Sequence, residues 1–348
     1  MTRVRSRGED ICKFILGQVE KHPSDISKLT AERFGITRQA VNKHLQKLTA
    51  EHALAENGKT RNRTYELAPI LEWRKAYRIT PDLAEDVVWT NDIRKTLDAL
   101  PDNVMNIWHH GFTEMFNNAI DHSGGLEIVV YLSKTATDSK IAITDDGVGI
   151  FKKIQTELNL LDERHALLEL SKGKLTTDPK HHSGEGIFFT SRMFDSFEII
   201  SGGVYFSHEF GEPEDWLLER AVPGAGTAVL MKLHNHTART AKKIFDKYTS
   251  GDNFGFTKTV VPVKLAQYGN DKLISRSQAK RLLARIELFK TVVLNFEGVD
   301  SIGQAFADEI FRVFTMQHPE IELVVIRAKS EVKRMISRIR DGSGTATE

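Results

Sequence analysis

Residues 114–123, Glu-Met-Phe-Asn-Asn-Ala-Ile-Asp-His-Ser, constrain this chain more than any other stretch. On a helix of 3.6 residues per turn, Glu114, Asn118 and Asp121 stand at i, i+4 and i+7, so two carboxylates and a carboxamide share one face. Trp108, Phe112, Met115 and Ala119 share another. The apolar stripe needs a core to cover it, and the polar stripe needs a partner of its own. Pro101 and Asp102 mark where this helix starts.

Two glycine-bearing loops follow, Asp145-Asp-Gly147-Val-Gly149-Ile and Ser183-Gly184-Glu-Gly186-Ile187, and then Gly226-Thr227 enters an apolar strand. Each is a weak signal alone, but all four in this order and at these separations are hard to obtain by accident. Together they resemble the Bergerat-fold (GHKL) ATPases, the group that includes gyrase-type and sensor histidine kinase ATP-binding domains. Residues 114–119 match the N box, 145–149 the first glycine box and 184–187 the second. The resemblance covers residues 85–235, roughly.

That resemblance implies ATP and Mg²⁺ as ligands, with a role for each matching residue. Glu114 would orient and deprotonate water at the γ-phosphate, and His110, one turn earlier, would orient Glu114. Asn118 would give its amide oxygen to Mg²⁺, a hard ion that keeps most of its waters, and Asp121 would line the same pocket. The alternating strand 140–144 delivers Asp145 to a turn opened by Gly147 and Gly149; this Asp would accept the adenine amine, supported by Thr227 through water. Gly184 and Gly186 precede a helix start whose N–H groups would cradle phosphate. Residues 151–183, with a helical pattern over 154–170, fall where the family keeps a mobile lid, and Lys172, Lys174, His181 and His182 are its candidate phosphate contacts.

Residues 1–68 read as three helices and a hairpin, the pattern of a winged helix-turn-helix. Asp25 is placed to cap a short helix, Gly35 breaks it, and Thr37 caps the next, where Val41, Leu45 and Leu48 repeat at helical spacing. The outward positions of that helix are Arg38, Gln39, Asn42, Lys43 and Gln46, side chains suited to base edges and phosphates of double-stranded DNA. Lys59, Arg61 and Arg63 follow in the turn of a basic wing. Over residues 1–65, thirteen Lys and Arg stand against seven Asp and Glu, about +6, which the whole-chain charge of +1 hides. The same fold also serves dimerisation or protein contact. Residues 53–60 loosely fit a P-loop, but they lack the apolar strand before and the helix after that a P-loop needs.

Residues 69–100 read as a linker with lead-in helices, and 101–240 as the ATP-binding domain. From 254 to 340, apolar runs at 260–265, 291–296 and 321–326 alternate with helical stretches at 276–289, 304–314 and 329–339. This region resembles the STAS-like domain attached to prokaryotic Bergerat ATPases, and 341–348 reads as a disordered tail. The expected fold is therefore multidomain α/β: a winged helix-turn-helix, a Bergerat α/β sandwich with helices on a mixed sheet, and a small C-terminal STAS-like α/β domain.

The single cysteine, Cys12, lies on an apolar helical face, which excludes disulfides and a Cys-rich metal site. No run of about 18 apolar residues and no signal-peptide core is present, so the expectation is a cytoplasmic protein without membrane contact.

Domain order, reader then switch then effector, points to an ATP-dependent DNA-binding regulator with slow hydrolysis. It leaves room for a homodimer and for a protein partner at the C-terminal domain. Two alternatives stand beside it: an anti-sigma-like Ser/Thr kinase acting on a STAS-type partner, and a non-hydrolysing ATP-binding scaffold. Against self-phosphorylation, Gly303-Gln304 stands where antagonists carry Asp-Ser, with Ser301 displaced. Histidine autophosphorylation is disfavoured because His208 follows the second glycine box and reads as strand.

Overall fold

The computed structural model describes residues 2–59, 62–175, 184–211, 216–249, 256–267 and 272–342, without the side chains of 2–6, 216–223 and 342. Helices α1 (Thr2–Gln18), α2 (Ile26–Phe34) and α3 (Arg38–Ala50) precede a hairpin of β1 (Leu54–Asn57) and β2 (Thr64–Leu67). Ile11, Ile15, Ile26, Val41, Leu45 and Leu48 from the helices meet Leu54 and Tyr65 from the hairpin in one core. Gly35 ends α2 in a left-handed conformation, φ 61°, and Thr37 Oγ1 accepts the Ala40 N–H at 3.2 Å to start α3. Asp25 precedes α2 but does not cap it through its side chain; its carboxylate lies 3.1 Å from His22 Nδ1 instead.

The middle of the chain forms β3 (Leu71–Arg78), helical segments α4 (Glu85–Val88) and α5 (Arg94–Leu97) joined by a π turn, then α6 (Asp102–His122). There follow β4 (Glu127–Lys134), β5 (Asp138–Asp145), α7 (Ile150–Glu157), α8 (Glu163–Lys172), α9 (Gly186–Met193), β6 (Ser196–Glu209), β7 (Trp216–His234) and α10 (Ala241–Tyr248). The five strands form one sheet in the order β3-β4-β5-β7-β6, antiparallel at every pairing. Part of the expected linker is thus the edge strand β3, which pairs with β4 from Leu71↔Lys134 to Arg78↔Glu127. Its charges, Glu72, Arg74, Lys75 and Arg78, are what an edge tolerates. The helical pattern expected over 154–170 is split into α7 and α8, because Asp162 accepts the His165 N–H at 3.0 Å and starts a new helix.

The last third contains β8 (Lys258–Pro262), α11 (Arg276–Leu283), β9 (Thr291–Asn295), α12 (Gln304–Asp308), α13 (Thr315–Gln317), β10 (Glu322–Ile326) and α14 (Ser330–Gly342). Its strands are parallel in the order β10-β9-β8, and the central one buries Val292, Val293 and Leu294 in succession, as a strand covered on both faces must. The expected tail lies outside the described residues from 343 onward. Among the described residues no helix is long and apolar enough to cross a membrane.

One continuous core joins the middle and last thirds. Phe256 lies at the seam, with its ring 4.5 Å from Phe188 and 5.2 Å from Phe289. Helix α6 enters this core on Trp108, Phe112, Met115 and Phe116, each at most 2% exposed. It reaches α9 at Gly111, where an added Cβ would stand 2.4 Å from Phe194 Cε2. Phe194 is fully buried and packs edge-on to Trp108 at 4.8 Å, so it has little room to move. Gly111→Ala is therefore expected to destabilise by about 1–3 kcal/mol through overpacking, although Ala is the better helix former by about 1 kcal/mol. Urea denaturation checks this, and an unchanged or raised midpoint would refute the close approach of α6 to α9.

Candidate functional site

The polar face of α6 borders a cavity of about 280 Å³. Glu114, Asn118 and His122 line it from α6, Ile143 and Asp145 from β5, Ile150, Lys153 and Ile154 from α7, and Thr227 and Val229 from β7. Leu170 of α8, Leu175 beyond it, Gly184, Gly186, Ile187 and Phe188 at α9, Ile199 of β6, and Met115, Ala119 and Ser123 at α6 complete the wall. Its volume is close to the lower end of small-molecule sites, about 300 Å³. Aliphatic walls with carboxylate, carboxamide, imidazole and ammonium groups suit a ligand with an apolar planar part and a charged part.

Asp145 is 8% exposed, and its Oδ1 accepts two backbone N–H bonds, from Gly147 at 2.9 Å and from Thr227 at 3.2 Å. Burial raises its carboxyl above the usual range against the pull of those two donors. Asp146, next along the chain, is driven the opposite way, because its Oδ1 accepts the N–H groups of Glu127 at 3.0 Å and Leu126 at 2.7 Å. One aspartate therefore serves the cavity and its neighbour ties the loop to the start of β4. Thr227 Oγ1 accepts the Ile150 N–H at 3.0 Å, so β7 supplies the first donor of α7 with a partner. Between them, Gly149 has φ 88°, a left-handed value that a side chain would strain.

Gly186 opens α9 directly against Glu114: an added Cβ would lie 2.1 Å from Glu114 Oε2. Gly184 carries the carbonyl that accepts the Leu175 N–H at 3.0 Å, which ties the approach to α9 to the segment after α8. Gly147 packs on the Ser123 carbonyl, which also accepts the Val148 N–H at 3.0 Å. Glu114, Asn118, Asp145, Gly184, Gly186 and Thr227 are thus brought to one cavity, with Gly147 and Gly149 shaping its loop.

Four other expected residues are placed elsewhere, among them Lys172, which is 1% exposed and donates to Glu169 Oε1 at 2.6 Å instead of reaching the cavity. Asp121 is exposed and absent from the cavity wall. At about 100° per residue it falls about 20° to the far side of Glu114, whereas Asn118 and His122 fall about 40° and 80° to the cavity side. His110 is half-buried with its ring edge-on to Phe245 at 5.6 Å, and its Nε2 is buried with no hydrogen-bond partner among the described residues. That nitrogen does not orient Glu114. Lys174 turns away from the cavity, donating from Nζ to the Leu288 carbonyl at 3.0 Å and lying over the Phe289 ring at 4.9 Å. His181 and His182 lie outside the described residues.

Sequence reasoning missed His122 and Lys153. His122 continues the Glu114, Asn118 series by four residues, which was a readable signal. Lys153 donates to the His122 carbonyl at 3.0 Å, a contact between α7 and α6 that no local pattern announces.

In the N-terminal unit Arg38, Gln39, Asn42 and Lys43 are exposed along α3, and Lys59 is exposed in the hairpin turn. Asn42 Oδ1 accepts from Ser27 Oγ at 3.5 Å, and Arg63 pairs with Glu56 at 3.0 Å, which offsets part of the hairpin's charge. Arg61 lies outside the described residues.

The fold and the match of one segment define a multidomain α/β protein with a C-terminal STAS-like domain. Residues 278–333 match the family model described as a STAS-like domain of unknown function (DUF4325). No curated protein and no solved structure matches the chain.

Burial lowers the His110 imidazole from 6.5 to about 4, with His109 nearby adding to the effect. The unfolded chain then binds the extra proton first, so this contribution to stability is complete above pH 6.5 and is lost as pH falls towards about 4. His110→Phe keeps a ring against Phe245 and removes the proton. It should shrink the loss of stability between pH 6.5 and 4 by on the order of 2 kcal/mol, measured as the difference between the two proteins' Tm against pH. Parallel profiles would show that His110 is not held neutral by burial.

Proposed function

We propose that this chain is an ATP-dependent DNA-binding regulator, in which a Bergerat-type nucleotide site acts as the switch between a winged-helix reader and the STAS-like domain. The observation that carries the reading is the convergence of residues distant in sequence, Glu114, Asn118, Asp145, Gly184, Gly186 and Thr227, on one cavity. Asp145, held through Oδ1, would take the adenine amino group on Oδ2. Glu114 would activate water, and the start of α9 would meet phosphate. The aliphatic side chains of Ile143, Ile150, Ile154 and Val229 would flank the base.

The donor set fits Mg²⁺. Among the described residues no three His, Cys, Asp or Glu side chains gather into a metal site, and Mg²⁺ brought by a triphosphate needs one oxygen donor such as Asn118 with water and phosphate as the rest. The ion would supply charge neutralisation at the phosphates. The exposed Arg38, Gln39, Asn42 and Lys43 of α3, together with the basic excess of the first 65 residues, support the DNA-reading role.

Incubating the purified chain with γ-labelled ATP and Mg²⁺ tests the switch. Free phosphate should form, and Glu114→Gln should lower its rate by roughly 10²–10⁴-fold while nucleotide stays bound; Asn118→Ala should weaken Mg-ATP binding itself. Label retained on the protein would make the chain a kinase, and absence of both hydrolysis and ATP binding would end the nucleotide reading. For the reader, Lys43→Ala should weaken DNA binding and lower the log–log salt slope by about 0.9, with Arg38→Ala also weakening it. DNA affinity retained in both variants would refute a recognition role for α3.

A further inference from the structure

The roof of the cavity is held by the STAS-like region. Helix α8 gives the cavity Leu170 and leads to Leu175. Between them lies Lys172, 1% exposed, whose ammonium has three N–H donors and three acceptors: Glu169 Oε1 at 2.6 Å, the Arg281 carbonyl at 3.2 Å and the Ala284 carbonyl at 2.7 Å. The last two belong to the C-terminal end of α11, where carbonyls run short of intrahelical donors, the Arg281 carbonyl having only a 3.4 Å bond from the Ala284 N–H, and where the helix dipole is negative. A cation of the middle unit thus caps a helix of the C-terminal unit.

The capping is returned. Thr259 Oγ1 of β8 donates to the Lys172 carbonyl at 2.6 Å, at the C-terminal end of α8. Arg285 Nη2 donates to the Lys174 carbonyl at 2.9 Å, and its Nε stands 3.7 Å from Glu169 Oε2. Arg285 and Lys174 both have left-handed backbones, φ 63° and 54°, so two conformations that non-glycine residues avoid are held by each other across this contact. Glu169 and Lys172 are 5% and 1% exposed in the packed structure, and two of the three acceptors on Lys172 Nζ belong to the C-terminal unit, so a shift of α11 strips a buried ion pair of partners before water can replace them. Roof and STAS-like region must therefore move together.

We infer that the STAS-like domain is the control element of the nucleotide cavity, setting the position of Leu170 and Leu175 through the Lys172, Thr259 and Arg285 contacts. This rests on the nucleotide reading above. Whatever displaces the end of α11 displaces the roof, and by linkage nucleotide binding must stabilise α11 in return.

Hydrogen–deuterium exchange on the full chain without nucleotide reads the mechanical part, and calorimetric titration with Mg-ATP reads the functional part. The variants are Arg285→Ala, on a part-exposed side chain, and Thr259→Val, which keeps the buried shape. Both are expected to speed exchange over residues 163–172 and to shift Mg-ATP affinity by about five- to hundredfold. Faster exchange confined to residues 276–288, or unchanged affinity beside altered exchange in 163–172, overturns the control role. If the wild-type chain takes up no Mg-ATP, the nucleotide reading falls, and exchange over 163–172 alone decides whether the STAS-like domain sets the roof.

Discussion

Trp108, Phe112 and Phe116 have to leave water, and at on the order of 2–3 kcal/mol each their burial fixes how α6 is rotated against the sheet. Rotation is the quantity the site depends on. With that stripe in the core, the residues about 120° round the helix have to face the gap between α7, α8 and α9, and those residues are Glu114, Asn118 and His122. The close approach at Gly111 and Phe194 prevents the helix from rolling. Core packing and cavity chemistry are thus two faces of one orientation.

The loop after β5 shows how neighbouring carboxylates come to differ. Asp145 is buried and shares one oxygen between two N–H donors, while Asp146 gives its oxygen to the first residues around β4. The first is pushed up by desolvation and the second is pulled down by its donors. An Asp-Asp pair can therefore provide both a ligand group and a structural tie, provided the turn between the strand and α7 reverses sharply. Gly149 supplies that reversal, and Thr227 secures α7 as it departs.

Much of this was legible locally. The i, i+4 relation of Glu114 and Asn118, the alternation that delivers Asp145, the capping of α3 by Thr37 and the alternating strands and helices of the last third are all set by short-range periodicity. The misplaced residues share another trait: their surroundings come from distant segments. A polar loop makes Lys174 look like a phosphate contact, but Leu288 and Phe289, more than a hundred residues away, take it up. His110 meets Phe245 of α10, and Asp121 fails by the few tens of degrees that separate a helical face from its edge. Strand β3 was hidden by its charges, which mark an edge strand as readily as a linker.

Finally, the apolar cores are divided unevenly. The N-terminal helices and hairpin enclose a core of their own, and Glu20 reaches the central sheet through ion pairs to Lys140 and Lys232. The middle and C-terminal thirds share theirs. In evolutionary terms the first unit can be exchanged for another of similar size without repacking anything beyond it, because surface ion pairs are readily rebuilt. The other two are joined through Phe256 and must be inherited, and must fold, as a pair.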